Sequence, residues 1–210
     1  MFPVKQTGQQ PGTVPNTDRA MAKGALWMIL ARLSDRSLGF VSTIVLVRVL
    51  APADFGLVAM GTSVIAICEL FGQVGLDVAL IQTPGATRRH YDTAWTFSVI
   101  ISAMTAVALV LIAIPAANFY GEPRLLPIIL SLALGSFISG FENIGIVAFR
   151  KNLQFNKEFQ FFFGKKLAGF LVTVPLALVF RSYWALIAGM IGGRLAALSI
   201  SYYVQEYRPR

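Results

Sequence analysis

The chain has 210 residues, 56% of them hydrophobic and 13% charged, with a mean hydropathy of +0.66; soluble domains carry ~25% charged residues, so a water-soluble globular fold is excluded. Eighteen lysines and arginines against ten acids give a net charge of +8, yet the basic residues sit between long apolar runs, the pattern of membrane topology and not of nucleic-acid binding. The single cysteine, Cys68, lies in an apolar run, which excludes a disulfide framework or a cysteine metal site.

Met1 to about Arg19 is rich in Gln, Pro, Gly and Thr without an apolar period, which predicts a disordered tail over residues 1–20. The apolar run that follows starts late, is too long for a signal-peptide core and lacks a small-residue cleavage site, so it reads as a retained anchor. Residues 21–210 are expected to form one all-α integral membrane bundle of six helices, over about 22–50, 54–78, 93–117, 124–149, 161–180 and 183–203.

The first helix carries Arg32, Asp35 and Arg36 eight to twelve residues past Gly24, which at ~1.5 Å per residue is roughly 12–18 Å into the bilayer. Each such charge costs ~2.5–3.5 kcal/mol at a helix centre. Together with Gly39 and Ser42 or Thr43 they follow the i, i+3/i+4, i+7 rule and make one polar stripe, which must face protein or water. Helix two starts after Ala51-Pro52-Ala53-Asp54, where Pro suits a first turn and Asp54 complements the helix N-terminus. So short a connection makes helices one and two antiparallel neighbours.

A polar loop, Thr83 to Asp92, leads to helix three, and its His90 reads as a solvated loop residue. The turn Asn118 to Pro123 leads to helix four. The segment Arg150 to Lys166 mixes basic residues with Phe155, Phe159, Phe161, Phe162 and Phe163, which suits a membrane interface, with Lys165 and Lys166 snorkelling to headgroup phosphates and membrane lipids as partners. Twelve basic residues fall on the side of the two termini, three on the opposite side and three inside the membrane, so both termini are expected in the cytoplasm.

With that orientation, Glu69 on helix two, Glu142 on helix four and Arg194 on helix six lie roughly 10–15 Å from the cytoplasmic helix ends, level with Arg32 and Arg36. Three acids and three bases from four helices thus share one slab, where each needs a partner or a water-filled cavity. Two further stripes agree: Thr62, Ala66, Glu69 and Gln73 on helix two, and Gly135, Ser139, Glu142 and Asn143 on helix four. The charges either line a hydrophilic path for a polar substrate or pair across helices to fix packing. Gly189 with Gly193, and Ser136 with Gly140, are small-residue pairs that let helices approach. No phosphate loop, H-E-x-x-H or G-x-S-x-G pattern occurs, so neither an enzyme nor a cofactor or metal site is implied.

The runs KGALWMILARLSDRSLGFVSTIVLVRVLAPADFGLVAM, GLDVALIQ, FRKNLQFNK and the closing EYRPR resemble the N-terminal half of oligosaccharide flippases, the polysaccharide biosynthesis proteins of the multidrug/oligosaccharidyl-lipid/polysaccharide exporter superfamily. The resemblance implies translocation of a lipid-linked oligosaccharide across the bacterial inner membrane, for surface polysaccharides such as lipopolysaccharide or exopolysaccharide. It also implies one lobe of a two-lobed exporter, with a second six-helix lobe, self or a separate chain, as partner. On that reading Arg32, Arg36 and Arg194, with Gln73 and Asn143, contact the pyrophosphate and sugar hydroxyls, since guanidinium forks match phosphate oxygens. Asp35, Glu69 and Glu142 orient the arginines or couple transport to an ion. The alternatives are a non-transporting scaffold subunit for glycan-assembly enzymes and one lobe of a cation-coupled drug exporter.

Overall fold

In the computed structural model, residues 15–72, 75–83, 87–152 and 154–209 are described, and these are helical without strands. The elements are α1 (Pro15–Val49), α2 (Pro52–Gly72), α3 (Leu76–Gln82), α4 (Arg88–Tyr120), α5 (Leu125–Ser139), a 3-10 turn (Ile144–Ile146), α6 (Val147–Lys151), α7 (Phe155–Phe180) and α8 (Trp184–Val204). Among the described residues α2, α4, α7 and α8 are each long and apolar enough to cross a membrane. The pair α5 and α6, bent by 63° across a short break, makes a fifth span if taken as one. Helix α1 is longer than any of these, but Arg32, Asp35 and Arg36 interrupt its apolar run.

The helix boundaries differ from the expected ones at capping residues. Helix α1 starts at Pro15, so the last part of the expected tail is helical, while residues 1–14 lie outside the described ones. Pro52 is the first residue of α2 and Asp54 accepts the Ala51 N–H at 3.2 Å, a fixed entry to the helix. The expected helix 54–78 ends at Gly72 and a separate α3 follows, because Gly75 takes φ +67°, a left-handed conformation that no α-helix interior accepts. Helix α4 begins five residues earlier than expected. Thr87 donates its backbone N–H to His90 Nδ1 at 3.2 Å, so His90 is an exposed capping residue and not a loop residue. Most of the expected loop over Arg150 to Lys166 is likewise the end of α6 and the first turns of α7.

Helix α5 is apolar almost throughout, as suits a helix packed against three others with Leu130, Leu134 and Phe137 left exposed. Its Leu125, Ile128, Ile129 and Leu132 pack with Leu57 and Ile65 of α2, Leu109 and Ala113 of α4, and Ile187 of α8. Because lipid tails are as apolar as these side chains, close packing and not water exclusion holds such a bundle. The small residues show where it is closest. A Cβ on Gly189 would lie 1.6 Å from Thr173 Oγ1, and one on Gly140 would lie 2.5 Å from Ser102 Cβ, so α8 on α7 and the end of α5 on α4 both require glycine.

Helix α1 stands at the edge of the bundle, chiefly against α7. Trp27 meets Phe159, Asp35 meets Lys166, and Leu46 and Leu50 cluster with Ala177, so the two helices advance in parallel. Leu46, Leu50, Ala177 and Ala185 close one end of this seam with an apolar plug.

Candidate functional site

The seam between α1 and α7 holds two adjoining cavities. The first, about 620 Å³, is lined by Arg32, Asp35 and Arg36 of α1, by Arg150 of α6, and by Glu158, Lys165 and Lys166 of α7. Trp27, Phe155, Phe159, Phe162 and Phe163 supply its rings. The second, about 370 Å³, continues the seam past Gly39, Ser42 and Thr43 to Thr173, Gly189 and Gly193, and shares Lys165 and Lys166 with the first. The polar stripe of α1 thus lines one groove along its length, as its spacing requires.

Five cations face two carboxylates in the first cavity. Glu158 is taken up by Arg150, whose Nε and terminal nitrogen donate to Oε1 at 3.0 and 2.5 Å. Asp35 pairs with Lys166 at 3.1 Å. Among the described residues no carboxylate comes within 4.0 Å of Arg32 or Arg36. Their guanidinium groups are exposed to the groove with their donors free, which suits a phosphate oxygen. The rings form a wall beside them: Trp27 lies 5.3 Å from Phe159, and Phe159 stacks on Phe163 at 5.4 Å between centroids. Phe159 and Phe163 are one helical turn apart, so they present one face. Cations flanked by rings favour an anion carried on an amphiphile, the ring faces taking sugar or hydrocarbon.

The other candidate residues fall elsewhere. Arg194 projects between α2, α5 and α8 and donates to Glu69 at 3.1 Å, with Ser136 donating to the same carboxylate at 3.5 Å. Arg194 packs on Gly135, where a Cβ would lie 3.2 Å from its Cδ. This pair links α8 to α2 inside the bundle, away from Arg32 and Arg36. Glu142 sits in the break after α5 and reaches Lys165 at 3.6 Å, joining that break to the groove.

Asn143 is 1% exposed and fully engaged. Its Oδ1 accepts the Gly145 N–H at 2.9 Å, its Nδ2 donates to the Tyr207 carbonyl at 2.6 Å, and its backbone N–H donates to Ser201 Oγ at 3.0 Å. Asn143 thus caps the 3-10 turn with which the chain resumes after α5 ends at Ser139. Its atoms brace the chain end and are not presented to the groove. Gln73 lies outside the described residues.

Sequence reading did not select Lys165, Lys166, Arg150 or the phenylalanines as part of one site with Arg32 and Arg36. The available signal was the i, i+4 spacing of Phe155, Phe159 and Phe163, which marks one face of a helix and not an interfacial loop.

The break is held from the outside by residues 205–209. Gln205 donates to the Gly145 carbonyl, Arg88 donates to the Arg208 carbonyl at 3.0 Å, and the Tyr207 hydroxyl donates to Asp92. Burial, then the Asp92 carboxylate, pushes the Tyr207 hydroxyl well above the ordinary phenol range. Lys151 donates to the Leu80 and Thr83 carbonyls at 3.3 and 2.6 Å, closing the C-terminus of α3. Among the described residues no group of three His, Cys, Asp or Glu is placed to hold a metal ion.

Known proteins resemble this chain over most of its length. Succinoglycan biosynthesis transport protein ExoT of Rhizobium meliloti (strain 1021) is 25% identical over 198 residues, 91% of this chain and 39% of that protein. Lipopolysaccharide biosynthesis protein WzxC of Escherichia coli (strain K12) is 25% identical over 193 residues, 89% of this chain and 38% of that protein. An uncharacterized membrane protein in the cps region of Klebsiella pneumoniae is 22% identical over 160 residues, 76% of this chain and 33% of that protein. The chain therefore spans less than two fifths of the length of these relatives. No solved structure matches it. The sequence profile of the polysaccharide biosynthesis proteins matches residues 45–210. With its apolar spans and that match, the chain is a multi-pass membrane protein that belongs to the polysaccharide biosynthesis protein family.

Proposed function

We propose that this chain is one lobe of a flippase that moves a lipid-linked oligosaccharide across the bacterial inner membrane for surface polysaccharide assembly. It crosses six times, counting α1 and taking α5 with α6 as one span, and keeps both termini in the cytoplasm. A second six-helix lobe completes the transporter. One relative named as a transport protein supports the reading, and the distribution of Lys and Arg supports the orientation.

The observation that carries it is the groove in which Arg32 and Arg36, without carboxylate partners, stand beside a wall of rings. The arginines take the pyrophosphate, and the rings take sugar or the start of the isoprenoid chain. A hydrophobic cationic drug fits five cations poorly, which sets aside the drug exporter. Arg194 and Glu69 hold the bundle, and Asn143 braces the break.

The test is complementation of surface-polysaccharide production in a flippase-deficient bacterium, with the missing lobe supplied and protein level measured alongside. Arg36→Lys keeps the charge but loses the planar fork, so it should impair production, and Arg36→Ala should impair it more. If Arg32→Ala and Arg36→Ala both give normal polysaccharide at normal protein level, substrate binding in the groove is refuted and the scaffold role takes its place.

A further inference from the structure

Lys165 and Lys166 are the side chains that belong to both cavities, and each is held by a carboxylate from another element, Glu142 at 3.6 Å and Asp35 at 3.1 Å. Among the described residues Asp35 is the sole acid in the first cavity apart from Glu158, which is committed to Arg150. It also lies between Arg32 and Arg36 in sequence. The Asp35–Lys166 pair is open, with the two side chains 60% and 44% exposed. Such a pair is weak and exchanges readily. A phosphate brings more charge and more acceptor oxygens to the same lysine and can reach the neighbouring guanidinium forks as well.

We infer that Lys166, assisted by Lys165, forms an anion subsite in which the Asp35 carboxylate is the resident counter-ion, displaced when a pyrophosphate group enters. The inference rests on the groove being the substrate site. Asp35 then sets specificity. It competes with every anion, and only a group with enough charge to hold Lys166 and the arginines together displaces it, so chloride and inorganic phosphate are refused. On displacement Lys166 lets go of α1 and takes hold of the substrate. The same lysine lines the second cavity, so the anion is brought to where the groove continues along Gly39, Ser42 and Thr173.

The experiment measures binding of farnesyl pyrophosphate, inorganic pyrophosphate, inorganic phosphate and phosphatidylglycerol to the purified chain in detergent, with thermal unfolding as the check on folding. Asp35→Asn should bind farnesyl pyrophosphate about 1.5- to 5-fold more tightly, the strength of an open ion pair released, and should gain inorganic phosphate binding. Lys166→Met should bind about tenfold more weakly, and adding Asp35→Asn to it should restore little, because Asp35 acts through Lys166. An Asp35→Asn variant that binds equally or less tightly, while Arg36→Ala still weakens the wild-type affinity, overturns the counter-ion role and leaves the groove reading standing. Binding that ignores both Arg36→Ala and Asp35→Asn overturns both. Competition by phosphatidylglycerol as strong as that by farnesyl pyrophosphate assigns the subsite to ordinary lipid headgroups and overturns the pyrophosphate specificity.

Discussion

Replacing Asn143 with alanine separates a bracing role from a binding one. The side chain is 1% exposed and makes two hydrogen bonds, from the Gly145 N–H at 2.9 Å and to the Tyr207 carbonyl at 2.6 Å. Alanine leaves the buried Gly145 N–H without its acceptor, which costs ~1–3 kcal/mol. The Tyr207 carbonyl is only half-buried and recovers water, so its loss is ~0.5–1.5 kcal/mol. The backbone bond to Ser201 Oγ survives. Together these give a destabilisation of roughly 2–4 kcal/mol, and at ~2–4 °C per kcal/mol for a chain of this size, a fall in Tm on the order of 4–16 °C. Circular dichroism during heating in detergent reads the shift. Farnesyl pyrophosphate affinity, normalised to folded protein, should not change, because Asn143 lies outside both cavities of the α1–α7 groove. An unshifted Tm with lost affinity would refute the bracing argument and return Asn143 to the binding surface.

Three other outcomes follow from the packing and the charges. Gly189→Ala should lower stability by ~1–3 kcal/mol in the same melting assay, since its Cβ would meet Thr173, whereas Gly56→Ala, with nothing within 4 Å of the added carbon, should be neutral or stabilising. The Glu69–Arg194 pair should be asymmetric: Arg194 is 16% and Glu69 41% exposed, so Glu69→Gln, which leaves the more buried charge unpaired, should cost more than Arg194→Met, and the double variant should lose ~1–3 kcal/mol less than the sum. Equal single losses that simply add would show that the two side chains do not act as a pair. For Tyr207 the folded form favours the protonated hydroxyl, so its contribution is complete below pH ~10 and is lost as pH rises through the raised value. Melting from pH 8 to 11.5 should therefore show the gap between wild type and Tyr207→Phe constant at first and narrowing above pH ~10; a gap that narrows already between pH 8 and 9 would contradict the assigned burial.

Hydropathy alone marked the segments that form the long apolar helices α2, α4, α7 and α8, because an apolar run of sufficient length has few other fates and does not depend on distant residues. The six-fold reading of the runs meets the structure at α2, α4, α7 and α8 directly. It also anticipated the direction of the α1 stripe, since the 3.6-residue period and the cost of a charge in lipid leave Arg32, Asp35 and Arg36 no face but a polar one. What the sequence could not supply was partnership. Arg32, Arg36 and Arg194 share a residue type and an expected depth, yet Arg194 is absorbed by Glu69 while the other two face the groove without a carboxylate. That division depends on which helix faces which, a property of the crossing of α1 on α7 and of α8 on α2 and α5. Asn143 shows the same limit. Its spacing from Gly135 and Glu142 belongs to a continuous helix, but α5 ends at Ser139, and bonds to Tyr207 and Ser201, about 60 residues away in the sequence, turn a polar stripe into a brace. Period and composition fix a residue's face and depth; only packing decides whether the group it meets is another side chain or an open groove.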